Sequence, residues 1–248
     1  MRIPSLRAQA AITVAVLAAG FALVFFYAPN DADQGFIQKI FYLHVPLATC
    51  ALAGFIVAAI HAIRHLRTGD AVHDARSYVS IHISVIFGVA VLLTGSIWAR
   101  ASWGKWWVWD EPTLVSFLIV FLLYATYYPL RYAIEDRDRQ ARYASVFAIT
   151  AGAFVPLNFI AVRAAQSLVH PRVFATAEGG MPPRMWIAFT VCLAGMALLW
   201  TCLVRFELAA KSASAKLSRL RRALEGETYV ASGSRIAPGI PSRAPSPG

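Results

Sequence analysis

Seven tryptophans and six histidines carry most of the chemical potential of this 248-residue sequence. Five of the tryptophans, Trp98, Trp103, Trp106, Trp107 and Trp109, fall within twelve residues, and the run closes on Asp110-Glu111-Pro112. One or two indoles would need no account beyond anchoring at a membrane–water boundary, where amphipathic rings collect. Five beside an acid exceed that need, and on composition alone a platform for a flat ligand and a dense interfacial anchor stand level. If the segment is helical, Trp103, Trp106 and Trp107 share a face. Histidine adds a second kind of group. His44 lies in Phe41-Tyr42-Leu43-His44-Val45-Pro46 and His170 in Ser167-Leu168-Val169-His170-Pro171. A lone His at a helix end is more often a hydrated surface residue than a ligand. Two of them flanking an aromatic slab supply what a planar metallo-macrocycle requires, imidazoles for the metal and apolar faces for the ring. Pro46 and Pro171 restrict the backbone beside both.

The other histidines read differently. His61 and His65 are four apart on one helix face, but no carboxylate or thiol completes a metal site there and Arg64 sits between them, so headgroup contact is the better reading. His82 falls inside a predicted span, a functional candidate by position, with no partner evident in the sequence. Cys50, Cys192 and Cys202 have no paired spacing and read as small residues facing lipid or other helices. Neither a phosphate-binding glycine loop nor a HExxH or serine-elbow pattern occurs. The chain is therefore expected to have no catalytic residues of these classes and to draw any energy input from a partner.

The elements that must position these groups follow from composition. The sequence is 58% hydrophobic, with mean hydropathy +0.56, which leaves too little polar surface for a soluble globule. Six windows free of Asp, Glu, Lys and Arg, at 8–30, 40–63, 77–99, 112–130, 143–162 and 185–204, each supply the roughly 20 residues a helix needs to cross a bilayer. They are continuous apolar runs, unlike the alternating segments of a membrane barrel. The predicted fold is all-α, a polytopic membrane protein with six transmembrane helices. The first window is longer than a secretory h-region and reads as a retained anchor.

Seventeen of the 23 basic residues fall at the N-terminus, in the second and fourth loops and in the tail. The positive-inside rule then puts both termini in the cytoplasm and the tryptophan-rich loop outside, and it accounts for the net charge of +10 without a nucleic-acid partner. On that topology only His44 and His170 share the side of the tryptophan loop. Residues 1–206 form the predicted transmembrane domain, 207–230 a basic helix-like cytoplasmic extension and 231–248 a disordered tail of Ser, Pro, Gly and Ala.

The string Trp103-Gly104-Lys105-Trp106-Trp107-Val108-Trp109-Asp110 resembles the signature of the tryptophan-rich (WWD) heme-handling proteins of cytochrome c biogenesis. With Tyr42-Leu43-His44-Val45-Pro46, Leu168-Val169-His170-Pro171 and the six spans, the likeness is to the heme exporter protein C family and covers roughly 36–200. The resemblance implies a multi-pass protein of the cytoplasmic (inner) membrane, not an enzyme, that binds heme b at the periplasmic face. It makes His44 and His170 the axial ligands of the iron, and Trp103, Trp106, Trp107, Trp109 and Asp110 the platform. It further implies ABC-type ATPase and permease subunits, a small single-span membrane protein and a periplasmic heme chaperone that receives the heme.

Two departures touch the surroundings of the site. The family commonly has a basic residue two after the motif Asp, where this chain has Pro112, so heme propionates would turn to Arg100, Lys105 or Arg172. Aromatics often precede the second His motif, where Ala164 and Ala165 stand. Two alternatives compete with heme delivery. A bis-His electron carrier usually draws both ligands from spanning helices, whereas His170 belongs to a loop. An ABC permease subunit would want polar residues lining several spans, and these spans are poor in them.

Overall fold

Gly69 and Asp70 set the frame of the molecule. In a computed structural model, which describes residues 4–165, 169–170 and 181–233, helix α2 (Phe41–Thr68) ends on Gly69 in the left-handed conformation at φ 69°. Helix α3 (Ala71–Trp103) starts at once, with the Asp70 carboxylate accepting from Val72 N at 2.8 Å. A glycine stop followed directly by an aspartate cap leaves room for nothing but an antiparallel helical hairpin. The other helices are α1 (Leu6–Phe26), α4 (Pro112–Tyr132), α5 (Arg137–Ala164) and α6 (Pro183–Gly233), with a short 3-10 turn, Phe36–Ile40, running into α2. No strand occurs among the described residues, and six helices are long and apolar enough to cross a membrane.

The helices differ from the uncharged windows at their ends, for physical reasons. α1 stops at Phe26, short of residue 30, because Pro29 disfavours helical geometry in the residue before it. α3 and α5 run past their windows, since a charge at a span's end leaves the backbone hydrogen bonding intact and reaches the headgroup zone. α6 continues through Gly233, so 231–233 are helical where composition predicts the tail to be disordered. The remainder of that stretch lies outside the described residues. The chain divides into one compact unit ending at Leu208, which packs with the core around Met196, and a second beginning at Ala209.

In the first unit α2 packs mainly on α3 and α5, and α4 on α5. Phe55 and Tyr124 stack face to face at 3.8 Å at the centre of that packing. α6 joins α3 through Trp200 Nε1 donating to Ser84 Oγ at 3.0 Å and joins α1 through Gln9 Nε2 donating to Thr201 Oγ1 at 3.1 Å. Lys39 is buried, its ammonium donating to the Val24 and Ala28 carbonyls at 2.5 and 3.1 Å. It caps the C-terminus of α1, where orphan carbonyls and the helix dipole favour a cation.

Candidate functional site

Near the ends furthest from the Gly69 turn, α2 and α3 together line a cavity of about 250 Å³. α2 contributes His44, Ala48 and Leu52, and α3 contributes Val91, Gly95, Trp98 and Trp103. Leu114 and Phe117 of α4 and Phe159 and Val162 of α5 also line it, with Trp107 and His170 from the connecting segments. The cavity is predominantly apolar and half enclosed.

His44 is held by its neighbour helix. Its Nδ1 lies 2.9 Å from Thr94 Oγ1. Its ring meets Trp98 edge to face, with centroids 5.8 Å apart. A Cβ on Gly95 would fall 2.9 Å from His44 Cε1, so only glycine there lets the imidazole lie against α3. Trp98 is fixed in turn by Nε1 donating to Gln34 Oε1 at 2.7 Å. This indole is part of the wall and is buried.

His170 is positioned through its backbone. Glu111, fully buried, caps α4 with Oε1 accepting from Thr113 N at 3.4 Å. Its Oε2 accepts from the main-chain N–H groups of Val169 at 2.9 Å and His170 at 3.2 Å. One carboxylate thus ties the end of the tryptophan segment to the second histidine. The His170 ring stands edge-on to Trp103 at 6.3 Å. Glu111 was not among the sequence candidates; its signal was an acid directly before Pro112, the pattern of a helix start.

The tryptophan segment is not a continuous helix. α3 ends at Trp103 because Gly104 takes the left-handed conformation at φ 72°, so the shared face of Trp103, Trp106 and Trp107 does not form. Trp103 and Trp107 line the cavity. Trp106 and Trp109 are 61% and 71% exposed, and Asp110 is exposed beside them. Trp107 and Trp109 meet edge to face at 6.0 Å. Arg100 donates to the Gly104 carbonyl, and its guanidinium lies over the Trp106 ring at 6.0 Å. Lys105 is exposed, and Ser167, Leu168, Pro171 and Arg172 lie outside the described residues.

The remaining histidines are engaged elsewhere. His65 is buried, with Nδ1 2.8 Å from Ser145 Oγ, so it joins α2 to α5 and does not contact headgroups as expected. His61 Nδ1 lies 3.3 Å from His73 Nδ1. His82, for which the sequence offered no partner, has Nδ1 2.8 Å from Glu207 Oε2. Glu207 falls in the expected extension, and the packing of α6 carries it back to α3.

The family description "Heme exporter protein C" matches residues 3–223. Heme exporter protein C of Rhodobacter capsulatus is 30% identical over 219 residues, 86% of this chain and 90% of the relative. That of Paracoccus denitrificans is 31% identical over 222 residues, 86% and 89% of the two chains, and that of Escherichia coli K12 is 32% identical over 145 residues, 58% and 59%. With six helices long and apolar enough to cross a membrane among the described residues, and a sequence match over residues 3–223, the chain belongs to the heme exporter protein C family.

Proposed function

We propose that this protein binds heme b between His44 and His170 at the periplasmic face of the cytoplasmic membrane and presents it to a periplasmic heme chaperone for cytochrome c-type biogenesis. The observation that carries this reading is the convergence of both imidazoles on one half-enclosed cavity with aromatic and aliphatic walls. Imidazole nitrogens suit heme iron, and apolar walls suit the macrocycle. Two atoms of cavity-lining residues support a polar-edged ligand, since Trp107 Nε1 and Thr113 Oγ1 are buried with no hydrogen-bond partner among the described residues. Trp103 and Trp107 are the inner part of the platform; Trp106, Trp109 and Asp110 are its exposed rim, where the chaperone receives the heme.

The orientation rests on the basic-residue bias, with both termini cytoplasmic. Hairpin length separates the two ends of α2. His44 precedes Gly69 by 25 residues, about 37 Å of helix at 1.5 Å per residue, which exceeds a hydrocarbon core of about 30 Å. His44 and the Gly69 turn therefore belong to opposite faces. ABC-type ATPase and permease subunits and a small single-span membrane protein are the partners that supply energy and assembly. The work of this chain is positioning, not bond chemistry.

The test is the visible spectrum of the detergent-purified protein supplied with heme, with His44→Ala and His170→Ala beside it. A Soret band in the wild type that is weakened or shifted in each variant is the expected result. A wild type without a Soret band, or a band unchanged after loss of both histidines, defeats the reading.

A further inference from the structure

The contact between His44 and Thr94 has a direction. Thr94 Oγ1 lies 2.7 Å from the Ala90 carbonyl and 3.2 Å from that of Val91, and 2.9 Å from His44 Nδ1. A threonine hydroxyl has one proton and two lone pairs. Carbonyls four and three residues back are its usual acceptors in a helix. With that proton given to Ala90 O, the oxygen can only accept from the imidazole. His44 Nδ1 then carries the proton, and Nε2 keeps its lone pair. The reverse arrangement would leave Nε2 protonated and unable to bind a metal.

We propose that Thr94 is the positioning residue that fixes His44 as the Nδ1–H tautomer and thereby makes Nε2 the iron-binding nitrogen. The inference rests on the heme reading above and deepens it. Two further features of α3 hold the same ring: Gly95 leaves the space it occupies, and Trp98 meets it edge-on. Together they fix the plane of the imidazole before any ligand arrives. The chain Nδ1–H to Oγ1–H to backbone carbonyl also polarises the ring, since hydrogen bonds in series strengthen one another. A more electron-rich imidazole favours ferric over ferrous iron.

The full-length protein in detergent tests this by hemin titration and by spectroelectrochemical measurement of the heme reduction potential. Thr94→Val keeps the shape of the side chain and removes the acceptor. It is expected to weaken hemin binding 10- to 100-fold, the usual loss when the outer partner of a ligating His is removed, and to raise the potential. Thr94→Ser is expected to restore both, and Thr94→Ala makes the same comparison without a branched side chain on the helix. A Thr94→Val protein with affinity within twofold of wild type and an unchanged potential would overturn the proposal, as would failure of Thr94→Ser to restore either property. His44→Ala separates the two levels. If it loses heme while Thr94→Val behaves as wild type, the proposal alone fails; if it binds as wild type does, the proposal falls together with the heme reading.

Discussion

Replacing Glu111 by Gln exposes how the second histidine is held. The carboxylate is fully buried and accepts three main-chain N–H groups, from Thr113, Val169 and His170. Glutamine keeps one acceptor oxygen, so the α4 cap, worth about 1 kcal/mol, can persist. The other position becomes an NH2 group facing two N–H donors. Each charge-assisted hydrogen bond contributes about 1.5–3 kcal/mol, but Val169 is 41% exposed, so water compensates part of the loss. A net cost of about 2–4 kcal/mol falls on the docked state of the segment carrying His170, a shift of roughly 30- to 1000-fold in its equilibrium at 1.4 kcal/mol per decade. Apparent heme affinity falls by the fraction of molecules that undock, so the observed loss approaches that range only where docking was marginal to begin with. The assay pairs hemin titration with limited proteolysis of the α5–α6 connection, which should be cut faster in Glu111→Gln. Wild-type affinity together with wild-type cleavage kinetics would refute the claim that Glu111 holds His170 in place.

Three other outcomes are expected. Gly95→Ala should lower hemin affinity about tenfold with little change in melting temperature, because its Cβ would sit 2.9 Å from the His44 ring and even a displacement of ~1 Å is costly at a positioned group; unchanged titration curves would contradict this. Asp74→Ala should destabilise the protein by about 3–5 kcal/mol, read as a lower unfolding temperature, since the buried Arg131 guanidinium, which donates from Nη1 and Nη2 to Asp74 at 2.7 and 2.6 Å, loses that carboxylate and keeps the neutral Tyr127 hydroxyl at 2.9 Å. A thiol introduced by Ala101→Cys should react with a membrane-impermeant maleimide applied from the periplasmic side, and one from Thr68→Cys only after permeabilisation. Both positions are exposed, and the opposite labelling pattern would invert the proposed topology.

Much of the fold was legible because lipid imposes a coarse rule: each span must be a long uncharged run, and these six are. The path of the tryptophan segment was less so, since Gly104 could be read either as a residue of close approach or as a helix stop, and only its φ of 72° decides. His44 and His170 were singled out by membrane side, but the residues that hold them were not. Glu111 reaches residues 58 and 59 positions away, and no local pattern encodes that distance when the α5–α6 connection could enter at many angles.

Thr94 is a different case, because the information was present in the sequence and needed one more geometric step. In an antiparallel hairpin, residues equally far from the turn lie at the same height. His44 and Thr94 are each 25 residues from Gly69, and Gly54 and Ser84 are each 15 from it. Both pairs meet: His44 and Thr94 by a hydrogen bond, Gly54 and Ser84 so closely that a Cβ on Gly54 would lie 2.0 Å from the serine oxygen. The Gly69-Asp70 stop and cap therefore set more than where two helices end. Because each helix rises 1.5 Å per residue, that turn fixes which hydroxyl on α3 comes level with the histidine on α2. Inserting or deleting a residue on one side of it would carry Thr94 about 100° around its helix, away from His44, while leaving hydropathy, charge bias and every site motif as they are. The register of this hairpin is thus as much a part of the site as the imidazole it orients.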